Sequence, residues 1–302
     1  GGSAIEISTA STRIILDFGN ELSLDEKYTP INLDIDGVTK GILDCDGIVI
    51  SHYHMDHLGQ LTSALPEIPL YMGELSKEVA MIATEHQDKD LYLRLLDANT
   101  FRGGEAFTIG NIHIRPLVID HSAVDSYMFV IEAEGKRVLY TGDFRMHGVR
   151  GHVLEKLIRT YIGNVDVLIT EGTSLSRNAH DGISEREVLD DISSYIQDGK
   201  YVFVMCSSTN IDRIMGIWHN MPTDKVLICD AYQKRILDTV IDNVYYDSTL
   251  YRRPDSPLVL DIGAYPKYYM DNGFVSLVRG TENYISQIKK FIEKEHKVKV
   301  SL

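Results

Sequence analysis

The chain has 302 residues, of which 44% are hydrophobic and 25% are charged; this composition is that of an ordinary globular protein, long enough for one large domain or two smaller ones. The formal net charge of −14 at pH 7 argues against a generally basic surface for nucleic acid, so any polyanion would have to be held by a local patch or by metal ions. The three cysteines form no C-x-x-C pair and no apolar run approaches the about 18 residues of a membrane span, which argues against a disulfide framework and predicts a cytoplasmic protein without a membrane partner.

The first third of the chain is typical of short strands separated by turns. Alternating or continuous apolar runs predict strands at SAIEIS, TRIILDFG, GIVI (residues 47–50) and IPLYMG. The segment HLGQLTSAL predicts the start of a helix. The segment SKEVAMIATEHQDKDLYLRLL predicts one long helix that begins at Ser76.

The middle of the chain predicts two strand hairpins. The run FTIGNIHIRPLVIDHS turns at Gly110-Asn111, and the run SYMFVIEAEGKRVLYTGD turns at Glu134-Gly135. A further buried strand is predicted at VDVLITEGT, residues 165–173.

The pattern of predicted elements changes near residue 184. Ser184 and Glu187 have capping-box spacing at the start of a helix. Strand and helix patterns then alternate, which predicts a parallel sheet in a second α/β unit. The polar segment RNAHDG, residues 177–182, is the best candidate for the linker between the two parts.

A dense cluster of ligand-type side chains follows the GIVI strand directly, in SHYHMDHLG (residues 51–59). Strand side chains alternate with a period of two, so His52 and His54 would lie on the same side and can bind one ion. Asp56 and His57, where the chain turns toward a helix, can face a second position. Imidazole and carboxylate ligands together favour zinc, with manganese and iron as alternatives.

Two later segments offer ligands at the same kind of position, just behind a strand. VIDHSAVDS places Asp120 and His121 there, and YTGDFRMHG places Asp143. Alone, such residues are usually ordinary turn or surface residues. Because sites on α/β sheets tend to lie at strand ends, the three segments together predict a metal site.

The motifs H-x-H-x-D-H, a later strand-end histidine and T-G-D resemble the signature of the metallo-β-lactamase family. GDFRMHG, DVLITEGTSLSR and FVMCSSTNIDRI resemble its RNA-processing branch, such as the ribonucleases J, which carries a β-CASP domain. The resemblance covers most of residues 1–245. It implies an α/β fold, with an αββα metallo-β-lactamase sandwich in residues 1–180 and a second, β-CASP-like α/β domain in residues 181–302.

The resemblance also implies a site with two zinc ions. One ion would be bound by His52, His54 and His121, the other by Asp56 and His57, and Asp143 would bridge the two. Asp56 would also act catalytically, by orienting the attacking hydroxide or handling its proton. Asp17, in ILDFG, and Glu171 would not bind the ions themselves, but would fix the orientation of the ligands.

One part of the family pattern is not found in this chain. Enzymes with a complete β-CASP domain return to the first domain and bring a further histidine to the second ion, usually in a Gly-His-Ala segment. No such segment lies between Asp143 and Leu302. We therefore expect that a C-terminal piece is missing and that the second metal site is short of one ligand.

The function implied by the resemblance is zinc-dependent hydrolysis of phosphodiester bonds in single-stranded RNA. Substrate contacts are predicted at Ser208, before a helix, and at Arg145, beside the metal loop. The alternatives are a helix cap for Ser208 and a solvated side chain for Arg145. Two other functions stay open, hydrolysis of a small ester, thioester or lactam and a non-catalytic subunit of an RNA-processing complex. Assembly into a homo-oligomer stays open as well.

Overall fold

The computed structural model describes residues 2–21, 31–172, 183–245, 249–251 and 256–295. The chain divides into two compact units, residues 1–181 and 182–302. The predicted linker, residues 177–182, lies outside the described residues.

The first unit begins with a five-stranded sheet in which spatial order follows chain order. Its strands are β1 (Ile5–Ser8), β2 (Arg13–Leu16), β3 (Gly47–Ile50), β4 (Leu70–Gly73) and β5 (Asn99–Phe101). β1 is antiparallel to β2, and the other neighbours are parallel. The carboxyl ends of β2, β3 and β4 therefore lie at one edge of the sheet.

The second sheet of this unit is mostly antiparallel. Its strands are β6 (Phe107–Ile109), β7 (Ile112–Ile119), β8 (Ser126–Ala133), β9 (Lys136–Tyr140) and β10 (Val167–Ile169). The order is β10-β9-β8-β7-β6, with β10 parallel to β9. Both predicted hairpins are confirmed, since Gly110-Asn111 joins β6 to β7 and Glu134-Gly135 joins β8 to β9. Glu134 and Gly135 have φ values of 50° and 72°, as a two-residue turn between twisted strands requires.

The two sheets pack face to face and form the main core of the unit. Buried side chains of the first sheet, including Leu16 and Val49, contact Ile114 and Phe129 of the second. Because side chains alternate along a strand, Ile48 and Ile50 point to the opposite face of the first sheet, where they are also buried.

Helices cover the outer faces of both sheets. They are α1 (Met55–Leu58), α2 (Glu74–Thr84) and α3 (Lys89–Leu96) beside the first sheet, and α4 (Leu154–Leu157), continued by a π turn over Ile158–Ile162, beside the second. Leu154 and Ile162 pack against Leu117 and Met128 on the outer face of the second sheet. The predicted αββα sandwich is confirmed.

Two sequence expectations for this unit are wrong in detail. The long helix predicted from Ser76 is two helices, because the Asp88 carboxylate accepts a hydrogen bond from Leu91 N at 3.0 Å and starts α3 as its N-cap. The strand β10 was expected to be buried, but Val167 and Leu168 are 48% and 57% exposed. They lie at the edge of the sheet, where only β9 pairs with β10.

The second unit is an α/β unit with a parallel four-stranded sheet, as predicted. Its elements are α5 (Glu185–Asp198), β11 (Tyr201–Met205), α6 (Ile211–His219), β12 (Val226–Cys229), α7 (Ala231–Asn243), β13 (Leu258–Val259), α8 (Lys267–Asn272), β14 (Phe274–Val278) and α9 (Glu282–Glu295). The strand order is β11-β14-β12-β13. The capping box of Ser184 and Glu187 is confirmed at the start of α5.

None of the helices in the described residues has the length and apolar composition needed to cross a bilayer.

Candidate metal centre

Three strand ends of the first unit carry the predicted metal ligands. Behind β3 the chain bends at Ser51 and Tyr53, and His54, with extended dihedral angles (φ −72°, ψ 148°), precedes the short helix α1. This places His52 and His54 before the helix and Asp56 and His57 within it. Two further ends, those of β7 and β9, lead to His121 and Asp143.

The first group of ligand atoms consists of His52, His54 and His121. His54 Nδ1 lies 3.1 Å from His52 Nε2 and 3.1 Å from His121 Nε2. Zinc–nitrogen bonds of about 2.05 Å in tetrahedral geometry put ligand nitrogens about 3.3 Å apart. The distances from His54 to the other two nitrogens are therefore close to those of a zinc site, and all three ligand atoms lie within 4.8 Å of one another.

The second group consists of His52, His57 and Asp143. His57 Nε2 lies 3.3 Å from Asp143 Oδ1. The other oxygen, Asp143 Oδ2, lies 3.9 Å from His121 Nε2 of the first group. Asp56 is at the margin of this group, with its Oδ2 3.8 Å from His57 Nε2. The structure thus brings all six predicted ligands together, and it places His52 rather than Asp56 closest to the second pair.

Burial keeps the imidazoles of the first group uncharged. It lowers the pKa of His52 well below its usual value, and the neighbouring imidazoles act in the same direction. Burial also lowers the pKa of His54, and it lowers that of His121 to about 3. Since a metal binds the neutral ring, these three side chains are ready to act as ligands at neutral pH.

His57 has the opposite electrostatic environment. Burial alone would lower its pKa, but the carboxylate of Asp17, followed by that of Asp143, outweighs burial and raises the pKa to about 10. In the metal-free protein His57 is therefore an imidazolium. A metal ion bound at Nε2 would have to displace that proton.

Asp17 is the buried support of the centre, in the position predicted for it. Its Oδ2 accepts hydrogen bonds from His57 Nδ1 at 2.7 Å and from the hydroxyls of Ser51 at 2.8 Å and Tyr140 at 2.5 Å. Its Oδ1 accepts from Ser51 N at 2.7 Å. The backbone of Asp17 is left-handed, with φ 57°. This network fixes the ring of His57 so that Nε2 faces Asp143.

Sequence reasoning missed Ser51 and Tyr140 as parts of this support. Ser51 lies between β3 and His52, and Tyr140 is the last residue of β9. Both are ordinary residues for their positions, and only the pairing of the two sheets brings them to Asp17. Burial, and then the Asp17 carboxylate, raise the pKa of Tyr140, so its hydroxyl stays a donor.

Glu171 acts on the backbone next to a ligand rather than on an imidazole. Its Oε1 accepts a hydrogen bond from Phe144 N at 2.9 Å, one residue after Asp143.

Burial alone would raise the pKa of Asp143, but the hydrogen bond and charge of His57 outweigh it and hold the pKa below its usual value. Asp143 is therefore a carboxylate at neutral pH.

The two predicted substrate contacts lie in different surroundings. Arg145 is 10% exposed and forms an ion pair with Asp120, Nε to Oδ1 at 2.6 Å. Ser208 belongs to the second unit, where it is 5% exposed and its hydroxyl has no hydrogen-bond partner among the residues that the structure describes. The helix that follows is preceded by Asn210, whose side chain makes no capping hydrogen bond. Substrate contact by either residue stays a prediction.

Comparison with known families supports the fold and this centre. Residues 13–193 match the beta-lactamase superfamily domain. A protein of unknown function from Enterococcus faecalis has a similar structure, with a TM-score of 0.72 and 16% identity over 94% of this chain and 75% of its own. That likeness concerns the fold alone.

Curated relatives are more similar in sequence, although each match covers a smaller part of this chain. Ribonuclease J of Sinorhizobium meliloti is 24% identical over 65% of this chain and 36% of its own length. The RNase J-like protein of Methanocaldococcus jannaschii is 26% identical over 68% of this chain and 48% of its own. The DNA cross-link repair protein pso2/snm1 of Schizosaccharomyces pombe is 30% identical over 44% of this chain and 23% of its own. The chain thus spans less than half the length of each of these relatives.

Proposed function

This chain belongs to the β-lactamase superfamily, and from that membership we propose that it is a zinc-dependent hydrolase of phosphodiester bonds in single-stranded RNA. The superfamily domain spans residues 13–193. Both ligand groups lie within that span.

The observation that carries the proposal is the position of the Asp143 carboxylate. One of its oxygens lies 3.3 Å from His57 and the other lies 3.9 Å from His121. A carboxylate between two ligand groups is suited to bridge two cations. This arrangement supports the assignment of both ions, with Asp56 as a further ligand of the second.

Two zinc ions bound in such a centre would supply a nucleophile at neutral pH and charge stabilisation for a phosphodiester. The protein would contribute the positions of the ligands. The neutral rings of His52, His54 and His121 would hold one ion, and Asp17 would fix His57 for the other. Asp56, whose side chain is 16% exposed, is placed to orient the attacking water and take its proton.

Charge favours a phosphodiester over a neutral substrate at this centre. Two divalent cations would outweigh the carboxylates of Asp56, Asp143 and the supporting Asp17 by one charge before a hydroxide binds, in a protein whose net charge is −14. The relatives named ribonuclease J and RNase J-like protein support RNA as the polymer.

The proposal extends to the whole chain. Residues 1–180 would be the metallo-β-lactamase domain and residues 181–302 a β-CASP-like domain of a cytoplasmic protein. The parallel sheet of the second unit supports a separate α/β domain there. The assignment to β-CASP rests on the motif FVMCSSTNIDRI, which forms β11 and the start of α6.

The test is cleavage of labelled single-stranded RNA by the purified chain with added zinc. We expect products that depend on zinc, and we expect no products from His54→Ala. The matched control is His86→Ala, since His86 is 89% exposed and lies outside both ligand groups. Single-stranded DNA and a small ester are tested beside RNA. A zinc-loaded protein that leaves RNA intact, or prefers the ester, would contradict the proposal.

A further inference from the structure

Two metal-ligand segments of the first unit meet at a side chain that is not itself a ligand. Asp120 lies immediately before His121 and is 1% exposed. Its carboxylate accepts a hydrogen bond from Arg145 Nε at 2.6 Å and another from Arg150 N. Its backbone carbonyl accepts one from Arg145 N at 2.9 Å. The strand end that carries His121 is thereby tied to the loop that carries Asp143.

The loop is wrapped closely around this carboxylate. A Cβ atom added at Gly148 would lie 2.1 Å from Asp120 Oδ1 and 2.3 Å from Arg145 Nε. Position 148 therefore excludes any side chain while the ion pair is in place. The path of the loop after Asp143 is set by Asp120 together with this close approach.

The residues after Asp143 are held by two carboxylates from different segments. Glu171 accepts a hydrogen bond from Phe144 N, and Asp120 accepts from the next residue, Arg145. The His121 loop has its own supports, because Val124 N donates to Tyr53 Oη at 2.9 Å. Loss of Asp120 should therefore displace Asp143 more than His121.

We infer that Asp120 is a positioning residue that acts through Arg145 to hold Asp143 between the two ligand groups. This inference rests on the proposed two-metal function. If it holds, the Asp120–Arg145 ion pair determines the affinity of the centre for the second ion. Outer residues that orient metal ligands typically change metal affinity by about 10- to 100-fold when they are replaced.

The test compares zinc titrations of the wild type and Asp120→Asn with a chromophoric chelator as competitor. Asparagine keeps the shape but has one acceptor oxygen in place of two, and it carries no charge. We expect the second ion to bind about 10- to 100-fold more weakly, and the first, which keeps its three imidazole ligands, to lose less affinity than the second. The visible spectrum of the cobalt-substituted protein should change more for the second ion than for the first, a selectivity that a merely structural role would not produce.

A second pair of variants tests the Asp120–Arg145 ion pair by replacing Arg145. Arg145→Lys keeps the positive charge and should retain more second-ion affinity than Arg145→Gln. These two Arg145 variants also test the inference if Asp120→Asn fails to fold. The matched control is Glu155→Gln, which removes an exposed ion pair with Arg159 in the same unit and should leave both affinities unchanged.

The outcomes separate the positioning role from the proposed function. Two ions with wild-type affinities in Asp120→Asn, or equal affinities in Arg145→Lys and Arg145→Gln, would overturn the positioning role alone. A wild-type protein that takes up no zinc or cobalt would overturn the proposed function and the positioning role with it.

Discussion

The carboxylate of Asp143 and the ring of His57 lie 3.3 Å apart, Oδ1 to Nε2, although 86 residues of sequence separate them. The contact joins the loop after β9 of the second sheet to the helix α1, which follows β3 of the first sheet. It makes the second ligand group dependent on the packing of the two sheets, and it determines the outcome expected when either partner is replaced.

Replacement of Asp143 by alanine should remove the second ion and abolish hydrolysis. The loss in second-ion affinity should exceed the about 10- to 100-fold typical of outer residues, because a ligand is removed outright. Zinc content by elemental analysis, measured together with RNA cleavage, checks this. Asp166→Ala is the control, since Asp166 is exposed and pairs with Lys136 away from the centre. Unchanged zinc content in Asp143→Ala would show that the ligand assignment is wrong.

Replacement of Asp17 by asparagine should destabilise the metal-free protein. A buried imidazolium would lose its partner, a change that typically costs about 3–5 kcal/mol in the free energy of unfolding. The pKa of His57 should fall from about 10, because burial is then opposed by the carboxylate of Asp143 without that of Asp17. Urea unfolding and an NMR titration of His57 measure the two effects.

The matched variant for Asp17 is Ser51→Ala. It removes one hydroxyl donor to Asp17 and leaves the charge pair in place. It should cost about 1 kcal/mol and leave His57 charged at neutral pH. Equal losses in Asp17→Asn and Ser51→Ala would refute the charge pair as the dominant contribution.

The contribution of this centre to the free energy of unfolding of the metal-free protein should be greatest near pH 6.5. The depressed pKa values of His52, His54 and His121 mean that their contribution is present above the unfolded value of 6.5 and is lost as the pH falls through the folded values, which for His121 is about 3. The raised pKa of His57 has the opposite sign. Its contribution is complete below 6.5 and is lost as the pH rises through about 10.

Unfolding free energies at a series of pH values test this balance. Each group changes the slope by at most about 1.4 kcal/mol per pH unit within its window. Subtraction of the His121→Gln curve from the wild type should isolate the part of the acid limb that His121 contributes, and subtraction of the His57→Gln curve should isolate the alkaline limb. Differences that do not vary with pH would contradict the assigned protonation states.

Replacement of Gly19 by alanine should strain the contact between the strand end at Asp17 and helix α1. A Cβ atom at Gly19 would lie 1.6 Å from the carbonyl oxygen of Asp56, so the backbone must move. Overpacking of this kind costs about 1–3 kcal/mol, and it should also weaken zinc binding because Asp56 and His57 move with α1. Gly280→Ala is the control, since its nearest neighbour, Met205 Sδ, would be 3.4 Å away. Equal unfolding midpoints for the two variants would contradict the prediction.

The sequence was sufficient to predict where the candidate ligands lie because they follow strands that periodicity identifies well. His52 and His54 come directly behind GIVI, and Asp143 comes behind RVLY, so the placement of each follows from a local pattern. The hairpin turns were predictable for the same reason, since Gly110 and Gly135 mark them locally.

The remaining features depend on contacts between distant segments. The support of Asp17 by Tyr140 requires the register of two sheets, and the partnership of Asp120 with Arg145 requires the path of a loop. The break before α3 was local in origin, but the helical periodicity around Asp88 concealed the stronger preference of aspartate for a capping position. Exposure of Leu168 depends on its place at a sheet edge, which the residue pattern does not encode.

The left-handed backbone of Asp17 restricts evolutionary substitution and protein design alike. Glycine and asparagine tolerate φ 57° well but bring no charge to His57, whereas glutamate brings the charge on a longer side chain with a backbone that disfavours this conformation. Aspartate is therefore the single amino acid that meets both demands. A transplant of the histidine motif into another scaffold would need to carry this residue, with its unusual dihedral angle, along with the ligands.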